Sequence, residues 1–188
     1  MRILLRCNLG RGTIVPAPNF NPQADAKALR SAIKGIGTND KRLIGIIAGR
    51  NNDQRQKIRE AYRQLFKGIF GYRDLIKDIK GDTTGNYQKL LLALLTPSAQ
   101  YNAKLNFKVT GNPATYFARR LRKALRGLGT KDNDLIKIIT SRSEIDLEDI
   151  KNEYNKLYKK SLEKAVRGDV TGNYQNLLVA IIKGNRKS

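Results

Sequence analysis

Leu29–Thr38 reads Leu-Arg-Ser-Ala-Ile-Lys-Gly-Ile-Gly-Thr, and Leu121–Thr130 reads Leu-Arg-Lys-Ala-Leu-Arg-Gly-Leu-Gly-Thr. Each copy is followed by an apolar run, Leu43–Ile47 or Leu135–Ile139, and then by an arginine, Arg50 or Arg142. The copies also close alike. Lys80–Tyr87 is Lys-Gly-Asp-Thr-Thr-Gly-Asn-Tyr, and Arg167–Tyr174 is Arg-Gly-Asp-Val-Thr-Gly-Asn-Tyr. A unit of about seventy residues is repeated, which marks a duplicated structural module. Two equivalent sites are the expectation.

Apolar residues recur at helical spacing along both units. Ala28, Leu29, Ala32 and Ile33 share one face, as do Phe117, Leu121, Ala124 and Leu125. Gly35 and Gly37 break the first helix, and Thr38 is read as the N-cap of the next. A third helix is expected from about Asp53, a fourth ended by Gly81, and a fifth capped by Thr84 and stopped before Pro97. No alternating strand pattern competes. The fold class is all-α, two five-helix repeats packed as one module. The chain divides into an irregular arm (1–22), a first repeat (23–96), a linker (97–112), a second repeat (113–184) and a basic tail (185–188). Gly37 and Gly129 are 92 apart but Asp82 and Asp169 only 87, so the first unit holds five extra residues. These fall near Lys67–Tyr72, where an extended loop is expected.

The charge is one-sided: 37 Lys and Arg against 16 Asp and Glu give +21 over 188 residues, with a pI near 10.3. Anionic partners follow, whether phospholipid, nucleic acid or sulfated polysaccharide. A single cysteine, Cys7, excludes an internal disulfide and suits a reducing compartment. No apolar run reaches the length of a bilayer span, and Met1–Cys7 is too short in its apolar part for a signal peptide. A soluble intracellular protein is the expectation.

Gly-x-Gly-Thr after an amphipathic helix turns the chain sharply and leaves backbone carbonyls without helical partners. A hard cation such as calcium takes oxygen ligands of that kind, completed by a carboxylate and water. Asp82 and Asp169 stand in glycine-flanked loops 45 and 40 residues beyond Gly37 and Gly129. The plainer reading makes each glycine pair a helix stop and each aspartate a cap. That both copies keep both halves of the pattern favours the ion site.

With these motifs, and with Asp53-Gln54-Arg55-Gln56, Leu91-Leu92-Ala93-Leu94 and Ser141–Asp146, the chain resembles the annexins over about residues 11–184. Annexin repeats are five-helix modules that bind acidic phospholipid through calcium. The two units look like the family's first and fourth repeats, which lie side by side in its four-repeat core. The resemblance implies carbonyl ligands from Ile33, Gly35 and Gly37 with Asp82, and from Leu125, Gly127 and Gly129 with Asp169. Lys34, Thr38, Arg126 and Thr130 would meet the lipid headgroups. A homodimer rebuilding a four-repeat disc is a further expectation.

Three departures from the family stand out: two repeats instead of four, the five-residue insertion, and the basicity, with Asn39 and Lys131 where acidic residues are common. The insertion is expected to make Asp82 the weaker site. Basic residues near an anionic membrane each contribute about 1 kcal/mol without calcium. No histidine or nucleophile–base pair is present, so the chain is read as non-enzymatic. The alternative function is calcium-independent binding of polyanions, nucleic acid or sulfated polysaccharide, on the same scaffold. Tyr87 and Tyr174 recur at equivalent positions and suit packing better than base stacking.

Overall fold

The computed structural model describes residues 10–34, 37–68, 71–105, 107–126 and 130–186. The first unit runs α1 (Pro22–Ile33), α2 (Asp40–Ala48), α3 (Asn52–Leu65), a short ribbon β1 (Lys67–Gly68) and β2 (Gly71–Tyr72), α4 (Leu75–Asp82) and α5 (Gly85–Leu95). After α6 (Ser98–Asn102), the second unit runs α7 (Pro113–Ala124), α8 (Asp132–Arg142), α9 (Leu147–Tyr158), α10 (Leu162–Arg167) and α11 (Gly172–Lys183).

Both units open on the same device. Asn21 accepts the Ala24 amide (2.9 Å) and Asn112 the Thr115 amide (3.1 Å), each followed by proline at the first helical position. Proline fits there because its missing N–H would have had no helical partner. The second helix does not start on Thr38: Asn39 is its cap, accepting the Arg42 amide at 3.0 Å. Thr84 stands at the cap position of α5 but makes no side-chain cap bond. The fourth helix does not stop at Gly81, since α4 includes Asp82. The insertion forms an antiparallel ribbon pairing Lys67 with Tyr72, in place of an open loop. The 97–112 stretch carries the short helix α6.

Within the units α1 lies on α3 and α7 on α9. Between them the packing is reciprocal, α2 against α11 and α5 against α8. The buried side chains therefore form one continuous core. Arg55, 1% exposed, crosses the junction from the first unit: its guanidinium donates to the carbonyls of Ile47 (2.8 Å) and Leu94 (3.3 Å) and lies 3.4 Å from Glu144.

Residues 11–17 fasten the two units together. Ile14 donates to the Ser143 carbonyl (3.0 Å) and its side chain is 2% exposed. Thr13 donates its hydroxyl to the Ile181 carbonyl (2.7 Å), Asn185 brackets Val15 with two bonds of 2.8 Å, and Gln54 brackets Ala17 with two of 2.9 Å.

Candidate functional site

The turn between α1 and α2 is closed by the Asn39 amide, which donates to the Ala32 carbonyl at 2.8 Å. Lys131 does the same to Ala124 at 3.0 Å, so an identical seven-residue closure recurs (39 − 32 and 131 − 124). Gly37 holds φ +83° inside the first closure, a left-handed conformation that costs any side-chain-bearing residue about 1–2 kcal/mol. Neither the Ile33 nor the Leu125 carbonyl accepts a loop hydrogen bond among the described residues. Ile33 and Leu125 bury their side chains, while Lys34 and Arg126 are exposed beside them. The expected ligands Gly35, Gly127 and Gly129 lie outside the described residues.

The two aspartates are not equivalently placed. In the second unit α10 ends at Arg167, Gly168 caps it, and Asp169 follows half-buried, its Oδ2 accepting the Thr130 hydroxyl. The carboxylate and the glycine loop are thereby joined. In the first unit α4 continues two residues past Lys80, the counterpart of Arg167, so Asp82 belongs to the helix and is exposed. Thr38 reaches the Asp82 backbone carbonyl at 3.4 Å, not its carboxylate.

A glutamine that sequence reading passed over holds each aspartate loop. Gln88 donates to the carbonyls of Lys80 (3.0 Å) and Thr83, and Gln175 to those of Arg167 (3.2 Å) and Val170. Its signal was available, because Gly-Asn-Tyr-Gln is identical in both copies. Between the loops the units touch again where Asn173 donates to Asp40 Oδ2 at 2.6 Å. Tyr87 and Tyr174 pack at this seam. Burial first, and the neighbouring Asp40 or Asp132 second, raises each phenol above its ordinary pKa.

Among the described residues no three His, Cys, Asp or Glu side chains cluster as a metal would need. A cation at either loop would therefore rest on backbone carbonyls and one carboxylate, which is the chemistry of a hard, oxygen-seeking ion. The second loop fits that requirement better, since its carboxylate is already oriented.

A family model described as Annexin matches residues 24–94 and 116–181. The chain is 40% identical over 177 residues to annexin A6 of Mus musculus, covering 94% of this chain and 23% of that one. It is 40% identical over 176 residues to annexin A5 of Homo sapiens, covering 94% and 49%. The chain thus spans a quarter to a half of the length of these curated relatives. Among solved structures, annexin III superposes with a TM-score of 0.84 at 23% identity, covering 94% of this chain and 98% of that one. Chicken annexin V gives 0.81 at 21%, covering 94% and 100%. A calcium-bound annexin (Sm)1 gives 0.66 at 21%, covering 92% and 93%.

Proposed function

The chain belongs to the annexin family, and on that footing we propose that it docks peripherally on acidic phospholipid membranes in a calcium-dependent manner. The observation that carries this reading is the Thr130 hydroxyl on the Asp169 carboxylate, which joins a carboxylate to the glycine loop in the second unit. Calcium would be held there by the carbonyls of Leu125, Gly127 and Gly129 with Asp169, and in the first unit by those of Ile33, Gly35 and Gly37 with Asp82. A calcium ion held there would supply the positive charge that meets lipid phosphate. The chain's own residues close the loops, orient Asp169 through Thr130, and present Lys34 and Arg126 to the headgroups, with Thr38 and Thr130 beside them.

The excess positive charge adds attraction without calcium, at about 1 kcal/mol for each basic residue near the surface. Basic residues flank both loops, Lys34, Lys41 and Lys80 at the first and Arg126, Lys131 and Arg167 at the second, so what weakens the first is its carboxylate, which is free of its threonine. The second site is therefore the tighter one. No helix among the described residues is long and apolar enough to cross a membrane. The role is one of binding, not catalysis. Two copies would pair to rebuild a four-repeat disc, and a monomer mass in solution at working concentrations would refute that pairing.

Co-sedimentation with phosphatidylserine vesicles, with calcium or chelator, tests the function. Calcium-enhanced pelleting supports it. Pelleting indifferent to calcium would point to the polyanion reading, with nucleic acid or sulfated polysaccharide as the next ligand to test.

A further inference from the structure

Where the two units meet around Arg55 lies a cavity of about 140 Å³, with Asn52, Arg55, Ser98, Tyr101, Ser141 and Glu144 in its walls. That volume is close to the roughly 150 Å³ that takes a benzene-sized guest when a protein core is hollowed out. This cavity is not a purely apolar one. Arg55 and Glu144 are its only charged lining residues, one of each sign.

Both have unused hydrogen-bonding capacity. Arg55 Nη1 donates to the Leu94 carbonyl at 3.3 Å and faces Glu144 Oε1 at 3.4 Å, while Nη2 is buried with no partner among the described residues. Glu144 Oε1 accepts the Asn52 amide at 2.7 Å, and Oε2 accepts nothing among the described residues. Asn52 is by contrast fully engaged. Its side chain donates to the carbonyls of Leu94 (3.3 Å) and Thr96 (2.9 Å) and accepts the Ser98 amide (3.0 Å). A buried guanidinium N–H left unmade costs free energy, which favours a guest that accepts there.

The charge pair decides what that guest is. A carboxylate would be repelled by Glu144 and an ammonium by Arg55, so neither ion gains from both walls. A neutral group that carries an acceptor and a donor together does gain from both. A primary carboxamide has the two in one plane: its oxygen accepts from the guanidinium and its N–H groups donate to the carboxylate. Ala93 and Ile145 offer apolar wall to a short alkyl chain behind it.

We propose that this junction cavity binds a small primary carboxamide, carried by a free molecule or by the glutamine side chain of a peptide. The site uses neither the glycine loops nor a membrane, so it stands or falls separately from calcium-dependent docking.

The test follows the backbone amides of the isotope-labelled full chain by NMR, in chelator and without vesicles. Propionamide, propionate and propylammonium, guests of nearly the same shape, are titrated in turn. Propionamide is expected to saturate at millimolar concentration and to bind about tenfold more tightly than either ion, moving the amides of Asn52, Ser98 and Glu144. Glu144→Gln removes the anion and keeps an oxygen for the Asn52 amide; propionate should then bind at least as tightly as propionamide. Ser98→Phe, at the exposed start of α6, plugs the cavity and should abolish the response while Tm is kept. Acetyl-Gly-Gln-Gly N-methylamide binding more tightly than propionamide assigns the guest to a peptide, and weaker binding assigns it to a free molecule. The proposal is overturned if propionamide gives no saturable response, which leaves a cavity holding only water. Equal binding of all three guests, a carboxamide preference unchanged in Glu144→Gln, or binding intact in Ser98→Phe would overturn it as well.

Discussion

Replacing Arg55 with methionine separates two explanations of how a charge survives in the centre of this fold. The Arg55 side chain is 2% exposed, and Glu144 beside it is 28% exposed. Burial lowers the Arg55 pKa to about 10, an effect partly offset by Glu144, so the guanidinium is still charged at neutral pH. Its two shorter contacts are to the carbonyls of Ile47 and Leu94, in the last turns of α2 and α5. Carbonyls there have no helical N–H to accept, and the helix dipoles place negative potential on them. Arg55 therefore caps two helices from different parts of the first unit and reaches the second through its ion pair with Glu144. Arg55→Met removes both caps and leaves Glu144 half-buried without its cation, a change of about 3–5 kcal/mol. For a chain of this size that lowers Tm by about 6–20 °C. Glu144→Gln keeps an oxygen for the Asn52 amide, now 2.7 Å from Glu144, and loses only a long, partly solvated ion pair, about 1 kcal/mol. Urea unfolding of the two variants and their double mutant is the assay. The reasoning fails if Glu144→Gln costs as much as Arg55→Met, since the ion pair and not the capping would then dominate.

Burial, opposed by Arg55 and the Asn52 amide, holds the Glu144 carboxyl above its ordinary pKa. Its stabilising contribution is therefore complete below the unfolded-state value and declines as pH rises through the raised one. Unfolding free energy measured from pH 4 upward should lose that decline in Glu144→Gln. Thr130→Val removes the hydroxyl that orients Asp169 and should weaken calcium in a lipid-coupled titration about tenfold. Thr38→Val, which loses only a 3.4 Å contact to a backbone carbonyl, should change it less than threefold. Gly184 sits at φ +72°, and a Cβ added there would run into the Thr13 carbonyl. Gly184→Ala should lower thermal stability by about 2 kcal/mol or more by prising the 11–17 segment off the second unit.

The helices were legible because their signal is local. Leu29, Leu43, Ile58, Leu90 and their counterparts follow a helical period, and each lies in the core. The family was legible for a related reason: the loops that carry its motif are short and occur twice. Where neighbouring residues compete, reading was less sure. Asn39 and Thr38 are both good caps, and the backbone bond from Asn39 to Ala32 decides for the asparagine. The ribbon at Lys67–Tyr72 had no alternating pattern to announce it, since two-residue strands leave none. Least legible were contacts between distant residues. Arg55 meets Glu144 across 89 positions, Asn173 meets Asp40 across 133, and Thr13 meets Ile181 across 168. Nothing in a single chain's text marks such pairs. The five-residue insertion points to an unequal setting of Asp82 and Asp169, but its form, an α4 that runs on through Asp82, follows from packing that no local pattern announces.

A carboxylate joined to a glycine loop would hold the calcium on which lipid docking depends, and the second unit would do this better. Calcium-dependent co-sedimentation with phosphatidylserine vesicles, comparing Asp169→Ala with Asp82→Ala, tests it most directly. Asp169→Ala should raise the calcium needed for half-maximal pelleting by about tenfold or more, and Asp82→Ala by clearly less. Equal calcium requirements in the parent chain and both variants would contradict the account and leave a basic surface holding the membrane by charge alone.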